Sequence, residues 1–232
     1  VKRLYVEVRV VDAPQGFAVT LDDRPVNTPG RWPLVLPTRA LAEAVAQEWR
    51  VQGGTIRPET MPLMQLAATV LDHIALYRDQ VIAATMRFAH TDAICYRADQ
   101  PAELIRLQRF AWDPLLDWLE AGRGVRLSAT AGIVPVAQSP AALDALAAIV
   151  AEFDDWRLCA FQAAAAASGS FVIALALVEG RLDADGAFRA AELDSGFEID
   201  RWGDDAEAAA RRAVVAADLA AARRFHDLLG VQ

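Results

Sequence analysis

The stretch Leu158–Val178, LCAFQAAAAASGSFVIALALV, runs without a charge between Arg157 and Glu179, and its reading decides the fold. Its length is close to the ~20 residues that cross a bilayer. Its composition points elsewhere. The first half is mostly alanine, which gains little from lipid, while Gln162 and Ser168-Gly169-Ser170 put polar and flexible groups near what would be the midplane. The flanks carry Asp154, Asp155 and Glu179 rather than a cluster of lysine or arginine. A helix that is apolar all round must be covered by neighbours. The stretch is therefore expected to form two helices, or one bent helix, through the centre of a water-soluble domain, without membrane insertion.

The 232 residues suffice for one large domain, or for a small one joined to a larger one. At 54% hydrophobic and 23% charged residues the composition is that of a folded globular chain rather than a disordered one. Acidic residues outnumber basic ones by 31 to 23, a formal net charge of −8, and no local basic patch offsets it. Phosphate backbones are repelled by such a surface, so nucleic acid is not an expected partner. Cys95 and Cys159 lie far apart without metal-like spacing, which fits free buried thiols in a reducing compartment, with a single disulfide as the alternative. The N-terminal VKRLYVEVRV enters a strand pattern at once, with no apolar segment of a secretory leader. It lacks an initiator methionine, which leaves a trimmed terminus or a missing leader open, and the compartment with it.

Leu4, Val6, Val8 and Val10 alternate with Tyr5, Glu7 and Arg9, the period of a strand with one buried face. After Gly16, Phe17, Val19 and Leu21 alternate again, and Asp22-Asp23-Arg24-Pro25 has the chemistry of a hairpin turn into Val26-Asn27-Thr28. A short strand over Leu34–Leu36 sits between Pro33 and Pro37. Thr38 then caps a helix whose Leu41, Val45 and Trp49 share a face, stopped at Gly53-Gly54. Trp49 is read as a structural anchor tying this helix to the sheet, direct ligand contact being the other reading. The proline-rich Ile56–Pro62 is a candidate linker.

Beyond the linker the pattern is helical, over Leu63–Ala75 and Tyr77–Ala89, followed by a short strand or buried turn over Ala93–Ala98. Pro101 opens a helix whose stripe is Leu104, Leu107, Ala111, Leu115 and Trp118, with a kink or break expected at Pro114 and an end at Gly122 or Gly124. Ile133–Val136 reads as a short extended piece, and Ser139-Pro140 starts a helix reaching about Glu152. Asp183 caps a helix that includes Phe188 and Leu193 and runs toward Ile199. A terminal helix follows Asp204-Asp205, with Val215, Leu219, Ala222, Phe225 or His226, and Leu229 on its apolar face.

Reactive chemistry is sparse. No glycine-rich phosphate loop, nucleophile elbow or paired-histidine zinc motif occurs, and neither a metal site nor a cofactor is expected. His90, five residues before Cys95, is the one pairing that could serve a nucleophile, and it underlies an alternative reading as a small-molecule enzyme with an interdomain cleft. The most individual segment is Leu193–Glu207, LDSGFEIDRWGDDAE, where Asp194, Glu198, Asp200, Asp204, Asp205 and Glu207 surround Phe197, Ile199 and Trp202. A helix end, the stop at Gly203 and the acidic start of the next helix account for the charges. They account less well for Trp202, an aromatic ringed by polar groups, which is the makeup of a binding hot spot.

Seven blocks in order, DDRPVNTP, PLVLPTRALAEAVAQEW, PETMPL, ICYRA, WDPLLDW, SGSFVIALAL and FEIDRWGDDAE, give the chain a resemblance to the assembly chaperones that bind the alpha subunit of the ATP synthase catalytic head. The blocks span nearly the whole chain and are specific together, though each alone is weak. The resemblance implies an α+β protein, with a small N-terminal antiparallel β-rich domain, residues 1–62, followed by a larger C-terminal α-helical domain, residues 63–232. It implies a non-enzymatic role, holding the unassembled alpha subunit soluble until the beta subunit takes the same surface; this chain itself is expected to be a monomer. The compartment would be the cytoplasm in a bacterium, which is preferred, or the mitochondrial matrix in a eukaryote. By position, the family's acidic residue falls on Asp194, which keeps the charge with a shorter reach, and Trp49 matches the tryptophan closing the first long helix. Trp202-Gly203 matches the C-terminal pair. The acidic run around that pair aligns less regularly, and Glu198, Asp205 and Glu207 join the partner-binding set with it.

Overall fold

In the computed structural model, which describes residues 1–132, 135–203 and 205–230, the hairpin between the strands Gly16–Leu21 and Arg24–Pro25 turns at Asp22-Asp23, both with positive φ, +47° and +64°. Two successive left-handed residues match the twist of the strands they join. Strand β2 (Gly16–Leu21) pairs antiparallel with β1 (Val8–Ala13) on one edge. On its other edge it pairs with both β3 (Arg24–Pro25) and β4 (Val35–Leu36). Gly16 is required here because a Cβ on it would lie 2.2 Å from the Leu36 carbonyl oxygen. Being central, β2 buries Ala18, Val19 and Thr20 in succession instead of alternating.

The N-terminal strand is shorter than its alternation predicts, and the residues before it take the opposite phase. Leu4 and Val6 are 84% and 88% exposed, whereas Tyr5 is buried. Residues before Val8 are not laddered into the sheet. They run along the end of α1 (Arg39–Arg50), where the Tyr5 hydroxyl donates to the Trp49 carbonyl at 2.7 Å and Arg3 Nη1 to that of Gln52 at 2.5 Å. The Asp22 carboxylate accepts from the amides of Val6 and Glu7.

The chain divides into two compact units. The first comprises Val1–Arg78, Asp155–Ala160 and Arg224–Gln232. It holds the four-stranded sheet, with α1 packed on β1 and β2. Thr38 caps α1 by accepting from the Leu41 amide, and its hydroxyl donates to the Leu228 carbonyl at 2.6 Å. After a 3-10 turn at Pro58–Thr60 comes α2 (Pro62–Thr69), whose first free amides, Leu63 and Met64, both donate to the Glu48 carboxylate at 2.8 Å. A π-helical turn over Val70–Ile74 leads into α3 (Ala75–His90), which departs from helical geometry at Tyr77. The opening of α6 (Asp155–Ser168) and the end of α10 (Ala206–Leu228) return to this unit. There Asp155 pairs with Arg78 at 2.6 Å, Trp156 stacks on Phe225, and the Cys159 thiol donates to the Leu66 carbonyl.

The second unit comprises Asp79–Asp154 and Phe161–Arg223 and is mostly helical. A 3-10 turn (Ala93–Cys95) precedes β5 (Tyr96–Arg97), which pairs in parallel with β6 (Thr130–Ala131). Between them lies α4 (Ala102–Arg123), ended by Gly124 at φ +66°. Pro114 does not interrupt it. Pro114 and Phe110 are exposed, so water can satisfy the carbonyl that the missing proline amide leaves free. The buried face of α4 is Gln108, Trp112, Leu115 and Leu119, turned away from the apolar stripe, and Leu107 is 43% exposed. Helix α5 (Pro140–Ala151) has the Ser139 cap and Pro140 start expected of it. The extended piece read over Ile133–Val136 begins at positions outside the described residues.

The uncharged stretch is two helices, α6 and α7 (Phe171–Val178), parted at Gly169 with φ +68°. Every residue of α7 is buried, and Phe171 meets Phe161 edge to face at 4.9 Å. The break is held by a fully buried carboxylate. Asp92 accepts from the Ile94 amide at the start of the 3-10 turn, at 3.2 Å, and from the Val172 amide in the first turn of α7, at 2.9 Å. No helix among the described residues is long and apolar enough to cross a membrane. Past α7, Asp183 caps α8 (Ala184–Ala191), and a separate α9 (Leu193–Trp202) begins after Glu192, so the single helix read across Phe188 and Leu193 is in fact two.

Candidate functional site

Helix α9 runs antiparallel to α4, and three polar links join this part of the chain to α4. Trp112 Nε1 donates to the Ala190 carbonyl at 2.9 Å, Gln108 Nε2 to Asp194 Oδ1 at 2.8 Å, and Arg201 Nη2 to Glu103 Oε2 at 2.7 Å. The break between α8 and α9 has its own fastening. Glu192, 8% exposed, receives both terminal nitrogens of Arg211 at 3.1 and 3.0 Å. Such a bidentate fork fixes direction as well as charge. Gly203, at φ +86°, ends α9, and Asp205 caps α10 by accepting from the amides of Glu207 and Ala208 at 2.9 Å.

Glu198, Trp202, Gly203 and Asp205 line one open cleft of about 250 Å3, together with Ser195, Arg211 and Arg212. Trp202 is 75% exposed, although the helix that ends at it is fastened along its length. An indole held in water on an ordered helix end is apolar area available to another surface. Arg201 is folded back over the Phe197 ring at 4.5 Å, so the cation beside Trp202 serves the protein's own packing. Asp194 is exposed and lies on the α4 side of α9, apart from the cleft lining, and Glu207 is exposed on α10. Asp204 lies outside the described residues.

Trp49 belongs to the first unit, where its ring meets Tyr5 edge-on at 5.8 Å. It also borders an apolar pocket of about 280 Å3 with Ile56, Met61 and Met64. The pairing of His90 with Cys95 has little chemical promise. His90 is exposed at the end of α3, while burial, and then the Asp92 carboxylate, push the Cys95 thiol up to about 12. A nucleophilic cysteine needs the opposite shift. Both cysteines are free and buried, and burial likewise raises Cys159 to about 12. Among the described residues no group of three or more side chains is placed to hold a metal.

Sequence reading passed over Gln108, Glu192 and Arg211. Gln108 carried a signal: it lies four residues before Trp112 and seven before Leu115, a polar residue on what proves to be the core face of α4. A buried amide of that kind must have partners.

Residues 2–120 match the family model described as ATP12 chaperone protein. The chain is 24% identical over 197 residues to the mitochondrial Atp12 protein of Schizosaccharomyces pombe, covering 80% of this chain and 68% of that one. It is similar to the crystal structure of Atp12 from Paracoccus denitrificans, with a TM-score of 0.94 and 38% identity over 99% of this chain and 98% of that chain. A protein from Agrobacterium tumefaciens is comparably similar, with a TM-score of 0.94 and 36% identity over 99% of this chain and 86% of that chain.

Proposed function

The chain belongs to the ATP12 chaperone family, and on that premise we propose that it is an assembly chaperone of ATP synthase that binds the unassembled alpha subunit of the catalytic head. It shields the alpha surface that the beta subunit later covers. The observation that carries this reading is Trp202, 75% exposed on a helix end held in place from behind, with Glu198 and Asp205 beside it in the cleft lining and Asp194 and Glu207 exposed elsewhere on α9 and α10. An apolar anchor with a polar rim is what a protein interface needs, and holding a client requires no reaction centre and no cofactor. The acidic rim and the net charge of −8 favour a client surface that is apolar with basic residues at its edge. The protein acts as a monomer, in the cytoplasm of a bacterium or the matrix of a mitochondrion.

Co-expression tests this directly. The isolated alpha subunit stays soluble when this chain is present, and Asp194→Lys lowers the soluble yield while leaving the chaperone's own unfolding transition in place. An alpha yield that is the same with and without the chaperone sinks the proposal.

A further inference from the structure

The polar link between α4 and α9 at Gln108 is out of keeping with its surroundings. Gln108 is 1% exposed, on a face whose other buried members are Trp112, Leu115 and Leu119. An amide buried there is costly unless both of its ends are bonded, and an apolar side chain of the same size avoids that cost. Both ends are bonded. Oε1 accepts from the Ala98 amide at 2.8 Å, just past β5, and Nε2 donates to Asp194 Oδ1 at 2.8 Å. The attachment of this region to α4 does not depend on that bond. The Trp112–Ala190 hydrogen bond lies on one side of it along the seam and the Arg201–Glu103 ion pair on the other. What the amide adds is a fixed direction for one carboxylate, on a residue otherwise exposed to solvent.

We infer that Gln108 is a positioning residue, which holds the Asp194 carboxylate in the orientation that meets the client while being itself buried from contact. This rests on the proposal that Asp194 touches the alpha subunit. A free aspartate on a helix surface samples several rotamers, and ordering it only on binding costs affinity. With Oδ1 held by Gln108, which is in turn held by the Ala98 amide, that ordering is complete before the client arrives. The backbone beside β5 thus sets the aim of a carboxylate on α9, through a side chain that the client never touches.

The test is a double-substitution cycle between Gln108→Glu and Asp194→Asn. Gln108→Glu keeps the acceptor for Ala98 but replaces the donor facing Asp194 with a second carboxylate. The readout is the chaperone concentration that halves light scattering by purified alpha subunit diluted from denaturant, with thermal unfolding of each chaperone variant measured alongside. Gln108→Glu raises that concentration about tenfold, the worth of a hydrogen bond to a charged group. In the Asp194→Asn background it changes it less than twofold, because there is no carboxylate left to aim. Losses that multiply in the double variant overturn the inference, as does a loss that follows the unfolding temperature in both backgrounds. Should Gln108→Glu not fold, Gln108→Met carries the same cycle, since it removes the donor without adding charge. Asp194→Asn with undiminished capture removes the contact role of Asp194 and the positioning role with it. Asp194→Asn that weakens capture, with Gln108 acting independently, removes only the latter.

Discussion

Asp92 gives the sharpest test of how the second unit is held together, because one carboxylate serves two helix starts. It is fully buried, accepting from the amides of Ile94 at 3.2 Å and Val172 at 2.9 Å, with the Ser170 hydroxyl and the Phe171 amide also bonded to it. Burial outweighs these bonds and raises its pKa from 3.8 to about 6. An acid whose pKa is higher folded than unfolded binds its proton more tightly in the native state. Its contribution to stability is therefore full below pH ~4, falls as the pH rises toward ~6 and is constant above that. At 1.36 kcal/mol per pH unit the fall is about 3 kcal/mol. Asp92→Asn abolishes this titration but turns an amide group toward N–H donors, which leaves the variant about 1–3 kcal/mol below the protonated parent at every pH. Urea unfolding at pH 4 should show the variant clearly weaker than the parent, and at pH 7 the two should nearly coincide. Asp92→Ala, which strands the Ile94 and Val172 amides, should lose about 2–6 kcal/mol throughout, a large share of the ~5–15 kcal/mol that a domain has. Parallel stability curves for parent and Asp92→Asn from pH 4 to 7 would refute the account of a proton held by burial.

Trp202→Ala removes the exposed indole: three quarters of its ~200 Å2 at 25 cal/mol per Å2 sets a ceiling of about 4 kcal/mol on its contact with the client. After ordering costs, capture of alpha subunit should weaken about 10- to 100-fold by titration, and an unchanged affinity would place the contact elsewhere. Glu48→Ala strips the acceptors from the Leu63 and Met64 amides and should destabilise the first unit by about 1–2 kcal/mol in urea unfolding. Glu48→Gln, which keeps one acceptor, should lose less, and equal losses would show that the cap contributes little.

The parts of the fold that follow local rules were legible in the sequence. Asp22-Asp23 announced a hairpin, Thr38, Ser139 and Asp183 announced helix starts, and Gly124 an end, because each is fixed by the backbone within a few residues. What was not legible depended on distant groups. The phase of residues before Val8 is set by the end of α1 and by Asp22, so Leu4 and Val6 point outward although their alternation predicts a buried strand face. The buried face of α4 is turned toward Gln108 and Trp112 because Asp194 and the Ala190 carbonyl wait there, some 80 residues on. The break at Glu192 answers to Arg211, which no local pattern predicts. For the candidate site, the segment around Trp202 stood out by composition, whereas of the residues that brace it Gln108 was marked only by its spacing to Trp112 and Leu115, and Glu103 and Arg211 bore no mark that separates them from ordinary helix polar residues.

That division follows from what a holding surface requires. A protein that keeps an apolar residue in water must prevent it from collapsing onto its own core, and the means of doing so lie behind the residue rather than in it. Here α7, buried on all sides, packs against α4 and α8, and these in turn pack against α9. Phe197 is the one buried residue of α9, and Arg201 covers its ring. Helix α9 is thus secured to α4 by a hydrogen bond and an ion pair, with little apolar packing of its own, and Trp202 at its end stays exposed. Apolar packing fixes the frame and polar links aim the surface. Removing a link therefore changes what the surface can capture before it changes whether the frame folds, and the Gln108 and Asp92 substitutions are chosen to separate these two effects.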